Sequence, residues 1–256
     1  ARAADRHPFL LSLHYTAPHW PWETREGRAV PEIAGPTLAH LEGGSVHVYQ
    51  QMIREMDEGI GRVLDALDEA GLGDDTLVVF TSDNGGERFS DNWPLVGGKM
   101  DLTEGGIRVP CIARWPGAIV PGGVSAQHHL TMDWTATMLA AAGVAADPAL
   151  PLDGVPLQPA LADAGVCFER PMHWRMKHRA QRALRDGRWK YLKVDDHEYL
   201  FDVDTDERER ANQARREPER LAAMRAAWEA WNQSMQPIPD DAAVSLVYGY
   251  ADMPQR

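Results

Sequence analysis

Leu77-Val78-Val79-Phe80 runs directly into Thr81-Ser82-Asp83-Asn84-Gly85-Gly86. An unbroken apolar, β-rich run fits a strand covered on both faces. The two glycines that follow pin a carboxylate and a carboxamide at its C-terminal end, the edge where α/β sheets present their ligands. Paired oxygen donors of this kind suit a hard cation. Fifteen residues past Asn84 comes Lys99, within Gly97-Gly98-Lys99, and Thr103-Glu104-Gly105-Gly106-Ile107-Arg108-Val109-Pro110 follows. Upstream, a second apolar run, Phe9 to Leu13, leads into His14-Tyr15-Thr16-Ala17-Pro18-His19-Trp20-Pro21. Two oxygen donors, an ammonium and an imidazole, each just beyond an expected strand, predict a site for a small oxyanion.

The surrounding elements follow a regular alternation. From Ser45 to Ala70, apolar residues including Val46, Tyr49, Met52, Ile53, Met56, Ile60, Val63, Leu64 and Leu67 recur every three or four positions, which predicts a long helix. Gly71 and Gly73 stop it. A strand over 77–81, a glycine-dense loop over 85–106, a strand within 108–115 and a helix over 131–142 closed by Gly143 complete the series. Residues 1–150 therefore read as the C-terminal part of an α/β domain, with a mostly parallel sheet flanked by helices. The proline-rich loop with Pro18, Pro21, Pro31 and Pro36 carries Trp20 and Trp22, which either line a cleft or anchor the loop. After Pro148 the pattern changes. Ala183–Arg185 and Trp189–Val194 flank Asp186-Gly187-Arg188, a hairpin signal, and Tyr199–Val203 continues the sheet. Pro218 opens a last helix with the apolar stripe Leu221, Met224, Trp228, Trp231 and Met235. Residues 151–256 thus read as a small antiparallel sheet with a C-terminal packing helix, and Val244 to Arg256 as a surface tail.

Charge and composition narrow the partners. The net charge is −12, which excludes nucleic acid as the main partner. Residues 1–150 carry 10 Lys/Arg against 20 Asp/Glu, and residues 151–256 carry 16 against 18. An anionic substrate would be repelled by such a background, so the site must supply its own positive charge. Cys111 and Cys167 are too few for a disulfide scaffold and too far apart for a metal knuckle. No stretch reaches the roughly 20 apolar residues of a membrane span. Beginning at Ala1 and entering an apolar run within a few residues, the chain reads as starting inside a fold. Its compartment, cytoplasmic or exported, is left unassigned.

Several segments together resemble the sulfatase family, the formylglycine-dependent, arylsulfatase-like type I enzymes of the alkaline-phosphatase-like superfamily. They are Ala17-Pro18-His19-Trp20-Pro21, Phe80 to Gly85, Gly98-Lys99, Glu104 to Pro110, Trp115-Pro116-Gly117 and Asp186-Gly187-Arg188-Trp189-Lys190-Tyr191-Leu192. The resemblance covers nearly all of this chain but only the C-terminal portion of a family member, so it implies an incomplete alkaline-phosphatase-like fold. It implies hydrolysis of a sulfate ester, from a sulfated small molecule or sugar, at a site holding one Ca²⁺. In such enzymes a formylglycine made from cysteine attacks sulfur. The matching positions make Asp83 and Asn84 two cation ligands, Lys99 a contact to the sulfate and ester oxygen, and His19 a sulfate contact that helps protonate the leaving oxygen. A histidine suits a donor–acceptor role near neutral pH, and a lysine stabilises charge growing on the departing oxygen.

The departures matter equally. The family's modification motif places proline or alanine two residues, and arginine four residues, after the cysteine. Cys111 has Trp115 at the fourth place, while Cys167 has Glu169 and Pro171. Neither qualifies. The remaining cation ligands and the nucleophile are expected in a missing N-terminal portion of the same protein, without which this chain is expected to be inactive.

Further positions are open to two readings. Trp93, His173, Trp174 and Arg175 either contact the organic part of the substrate or pack within the small sheet. Glu104 and Arg108 read as a structural ion pair or a clamp on the glycine loop. Two other functions compete: a phosphomonoester or phosphonate hydrolase of the same superfamily, and a non-catalytic sulfatase-like binding or scaffold protein. Asn84 argues against the first, whose transition-metal sites prefer histidine there. The joint presence of His19, Asp83, Asn84 and Lys99 argues against the second.

Overall fold

The computed structural model describes residues 7–28 and 44–242. A short ribbon, β1 (Glu23–Thr24) and β2 (Gly27–Arg28), precedes the long helix α1 (Val46–Glu69). Ser45 caps α1 by accepting the Val48 N–H at 3.1 Å. Gly71, at φ 65°, takes the left-handed turn that ends it. The buried side of α1 includes Met52 and Gly59, and a Cβ on Gly59 would come within 2.9 Å of the Tyr15 hydroxyl. This small residue therefore lets the segment before His19 lie against the helix. Glu55 on α1 accepts the Arg25 N–H and fixes the ribbon.

Beyond α1 come β3 (Val78–Thr81), the one-turn helix α2 (Glu104–Ile107), β4 (Cys111–Arg114), α3 (Asp133–Ala141) and the short α4 (Gln158–Ala162). The long helix, the strands within 77–81 and 108–115 and the helix within 131–142 lie where the apolar pattern predicts, but the expected strand over Phe9–Leu13 does not form among the described residues. The strand directions differ too. Every sheet among the described residues is antiparallel, which corrects the expectation of a mostly parallel sheet. β3 pairs with β4 in the register Val78↔Arg114 to Thr81↔Cys111. The physical reason lies between them. A parallel pair needs a crossover that carries the chain back along the sheet, whereas the glycine loop with its single helical turn reverses it. The Phe9–Leu13 run forms no ladder with any described strand, and its side chains are exposed.

The sheet β5 (Met172–Arg175), β6 (Arg182–Asp186), β7 (Trp189–Val194), β8 (His197–Asp202) is a meander in that order. Its central hairpin closes at Asp186↔Trp189, with Gly187 in the left-handed region at φ 53°. The last helix, α5 (Pro218–Gln233), has proline in its first turn. Alternation along the strands feeds two cores. Leu184, Tyr191 and Leu200 pack against Met224 and Trp228 of α5. Ala183, Leu192, Phe201 and Val203 pack against Leu102, which belongs to the glycine loop. The small sheet thus lies between α5 and the segment carrying Lys99. No helix among the described residues is long and apolar enough to cross a membrane. The expected tail from Val244, and Pro31 and Pro36, lie outside the described residues.

Candidate active site

The glycine loop folds onto itself backbone to backbone. Gly85 donates its N–H to Gly106 at 2.9 Å, and a Cβ on Gly85 would sit 1.8 Å from the Gly105 carbonyl oxygen. Lys99 donates its backbone N–H to Gly86 at 3.0 Å, so the lysine is tied to the turn two residues beyond Asn84. Asn92 acts as a clasp: its Oδ1 accepts the Gly86 N–H at 3.1 Å, and its Nδ2 donates to the Gly86 and Gly97 carbonyls at 3.1 and 3.0 Å.

His19 and Lys99, 80 positions apart, meet at 2.8 Å between Nε2 and Nζ. The ring's Nδ1 lies 2.7 Å from the Trp20 carbonyl oxygen. A carbonyl only accepts, so Nδ1 carries the proton and Nε2 presents its lone pair to the ammonium. Lys99 also forms an ion pair with Glu87 at 3.3 Å. Trp22 anchors the His19 segment: it is buried and packs edge-on against Phe89 of the glycine loop at 4.9 Å.

Asp83 is exposed, and the Asn84 amide donates Nδ2–H to Asp83 Oδ2 at 2.9 Å. The donor chemistry fits Ca²⁺, which takes carboxylate and amide oxygens, but the cation needs six to eight of them. Asn84 would have to turn its amide to aim Oδ1 at a shared ion. No group of three or more His, Cys, Asp or Glu side chains that could hold a metal ion occurs among the described residues.

The small sheet braces the loop from behind. Gln181, just before β6, accepts the Leu102 N–H on Oε1 at 2.9 Å and donates Nε2–H to the Met100 carbonyl at 2.8 Å. Met100 itself is left-handed, at φ 76°. Lys190, fully enclosed on β7, donates to Glu104 Oε1 at 2.8 Å and meets Glu209 Oε1 at 2.8 Å as a charge contact. Glu209 Oε2 accepts the Glu104 N–H at 2.7 Å. Arg185 spans Glu104 and Asp204, at 3.3 Å to each. Burial pushes the Glu104 carboxyl upward, but Lys190 and Arg185 outweigh it and hold it below the usual glutamate range. For Glu209 burial prevails over Lys190 and the carboxyl is raised.

Glu104 is thus a clamp on the loop, but its partners are Lys190 and Arg185. Arg108 is half-exposed and reaches Glu207 at 3.8 Å instead. His173 stacks on Trp231 at 4.9 Å, and Arg175 bonds Asn232 and the Gln236 carbonyl. The Trp174 carbonyl accepts Trp228 Nε1–H. Among the described residues these three make their polar and ring contacts with α5 and the segment after it, not with the His19–Lys99 pair. Trp93 is 68% exposed and lies under the Arg208 guanidinium at 4.1 Å. Sequence reasoning missed Asn92, Gln181, Lys190, Glu209 and Arg208. Lys190 did carry a signal, since a lysine inside an alternating apolar strand demands a buried counter-charge.

The family model "Sulfatase" matches residues 1–144, and the chain belongs to the sulfatase family. It is similar to mouse (Mus musculus) steryl-sulfatase, 38% identical over 194 residues, which cover 71% of this chain and 28% of that protein. It is also similar to human (Homo sapiens) N-acetylgalactosamine-6-sulfatase, 35% identical over 179 residues, covering 68% of this chain and 32% of that protein. Among solved structures, Ps i-CgsB superposes with a TM-score of 0.76 at 29% identity, covering 90% of this chain and 51% of that one. The same protein in complex with k-i-k-neocarrahexaose gives a TM-score of 0.75 at 28% identity. The chain therefore spans about a third of the curated relatives' length and about half of this solved chain.

Proposed function

We propose that this chain is the C-terminal portion of a sulfuric ester hydrolase, residues 1–150 belonging to its catalytic domain and 151–256 forming a bracing subdomain. The observation that carries the reading is the 2.8 Å approach of Lys99 Nζ to His19 Nε2, on a loop tied through Gly86 to Asp83 and Asn84. Asp83 and Asn84 would contribute two ligands to a Ca²⁺ ion, whose chemistry is to neutralise charge on the bound sulfate. Lys99 holds a sulfate oxygen and stabilises the ester oxygen as the S–O bond lengthens. His19, its Nδ1–H held by the Trp20 carbonyl, presents the Nε2 lone pair, so Nε2 must first take a proton from the Lys99 ammonium it faces or from water before passing it to that oxygen. The nucleophile and the other cation ligands come from polypeptide outside these residues. The complex of Ps i-CgsB with an oligosaccharide supports a sulfated sugar as the substrate class.

The test compares sulfate release by this chain alone with release by a polypeptide that also supplies the remainder of the fold. Aryl sulfate and aryl phosphate serve as substrates. Turnover of the sulfate by the longer protein only is the expected result. Hydrolysis by the 256-residue chain alone would overturn the division of the site, and preference for the phosphate would overturn the reaction.

A further inference from the structure

We propose that Arg208 and Trp93 form a binding platform for a second anionic group of the substrate, a sulfate or carboxylate other than the scissile ester. The proposal rests on the hydrolase reading for its substrate class, and on independent geometry for its location. Trp93 directly follows Asn92, the clasp between Gly86 and Gly97, so its ring is rooted in the loop that carries Lys99. Its backbone N–H is bonded to Asp91 Oδ1 at 2.9 Å, which fixes the turn. The indole is largely bare to solvent, and its covered face lies against Arg208 at 4.1 Å from the ring centroid.

Arg208 is charged and uncommitted. The carboxylates flanking it in sequence are engaged elsewhere, Glu207 with Arg108 and Glu209 with Lys190. No ion pair or hydrogen bond among the described residues uses the Arg208 guanidinium, and its Nε is buried without a partner. The terminal amines have no partner among the described residues and are not enclosed, so a ligand oxygen reaches the guanidinium through them. The guanidinium carbon lies 4.1 Å from the indole centroid, and the two terminal amines of an arginine grip a sulfate or carboxylate in a fork. Beside it, the exposed indole offers an apolar face to the C–H side of a sugar ring. In a chain with a net charge of −12, an unpaired cation at this place selects for an anionic partner.

Neocarrahexaoses with one sulfate and with two sulfates per disaccharide provide the probes. Their binding is measured by calorimetry to the protein that includes the rest of the fold. Arg208→Gln is expected to weaken binding of the two-sulfate sugar about tenfold or more and that of the one-sulfate sugar several-fold less. Trp93→Ala should weaken both, and Arg208→Lys should recover part of the loss. Equal losses for the two sugars, no loss, or no binding by the unaltered protein overturns the platform. Sulfate release in the same samples reads the reaction separately. Absent turnover with intact Arg208-dependent selectivity discards the hydrolase and keeps the platform; turnover without that selectivity does the reverse.

Discussion

Lys190 sits out of reach of water between Glu104 and Glu209, and both carboxylates grip the backbone or side chains that shape the glycine loop. Taking several charges out of water costs several kcal/mol for each ion unless all are matched. Lys190→Met leaves the buried Glu209 without a cation and Glu104 with Arg185 alone, and should cost about 3–5 kcal/mol, read as a drop in the urea midpoint. Adding Glu104→Gln and Glu209→Gln should restore much of it, because neutral amides need no counter-charge; a Lys190→Met protein as stable as the parent refutes the triad. The pH dependence has a definite sign. Glu104 is depressed in the folded state, so its contribution is present above the ordinary glutamate value of about 4.3 and is lost as pH falls through the lower folded value. Glu209 is raised and acts oppositely, its cost easing on acidification. Melting temperatures across the acid range should therefore fall less steeply for Glu104→Gln than for the parent. At the alkaline end, burial holds the Tyr191 hydroxyl well above its ordinary range, with Glu198 adding to the shift. That stability is full below about pH 10 and is lost as pH rises beyond it.

Two glycines separate what a helix wants from what a loop requires. Gly61 lies inside α1, and a Cβ there would meet nothing within 4 Å. Gly61→Ala should raise stability by about 1 kcal/mol through helix propensity and a less free unfolded chain. Gly85 has the opposite setting, its missing Cβ taking the place occupied by the Gly105 carbonyl. Gly85→Ala must spread the loop, so it should lower the melting temperature and displace Lys99 from His19; an unchanged protein in both respects would refute the close packing. The same contrast explains what was legible. α1, the β6–β7 hairpin and α5 are written in local patterns: a cap, a glycine at a left-handed turn, a proline in the first turn. The Asp83-Asn84 turn and the Lys99 loop were visible as glycine punctuation. Strand direction was not, because it depends on whether the chain between two apolar runs crosses over or reverses. Nor were the bracing residues, since Gln181 and Glu209 reach the loop across 79 and 105 positions, and no local pattern encodes such a pairing.

The apolar run that precedes His19 shows what this chain lacks by itself. Phe9, Leu10, Leu11 and Leu13 are all exposed, Leu10 at 78%, and Ile112 on β4 is bare as well. Each such side chain, once covered, would gain about 1.5–3 kcal/mol, and an apolar segment that joins no ladder among the described residues is a template for another strand. Relatives of this chain are about two to three and a half times as long as the stretch they share with it, so polypeptide outside these residues is the natural cover for that run. Produced by itself, the 256-residue chain is expected to self-associate, and light scattering at increasing concentration should show the growth. Placing charges on the run, as Leu10→Lys with Leu11→Glu, should suppress association without changing the far-ultraviolet circular dichroism, because these side chains support none of the described core. Supplying the rest of the fold during expression should suppress it equally in the unmodified chain, and there the charged pair should become harmful, lowering the melting temperature of the assembled protein. A charged pair that leaves the assembled protein as stable as before would show that the run stays on the surface, and His19 would then owe its position to Tyr15, Trp22 and α1 alone.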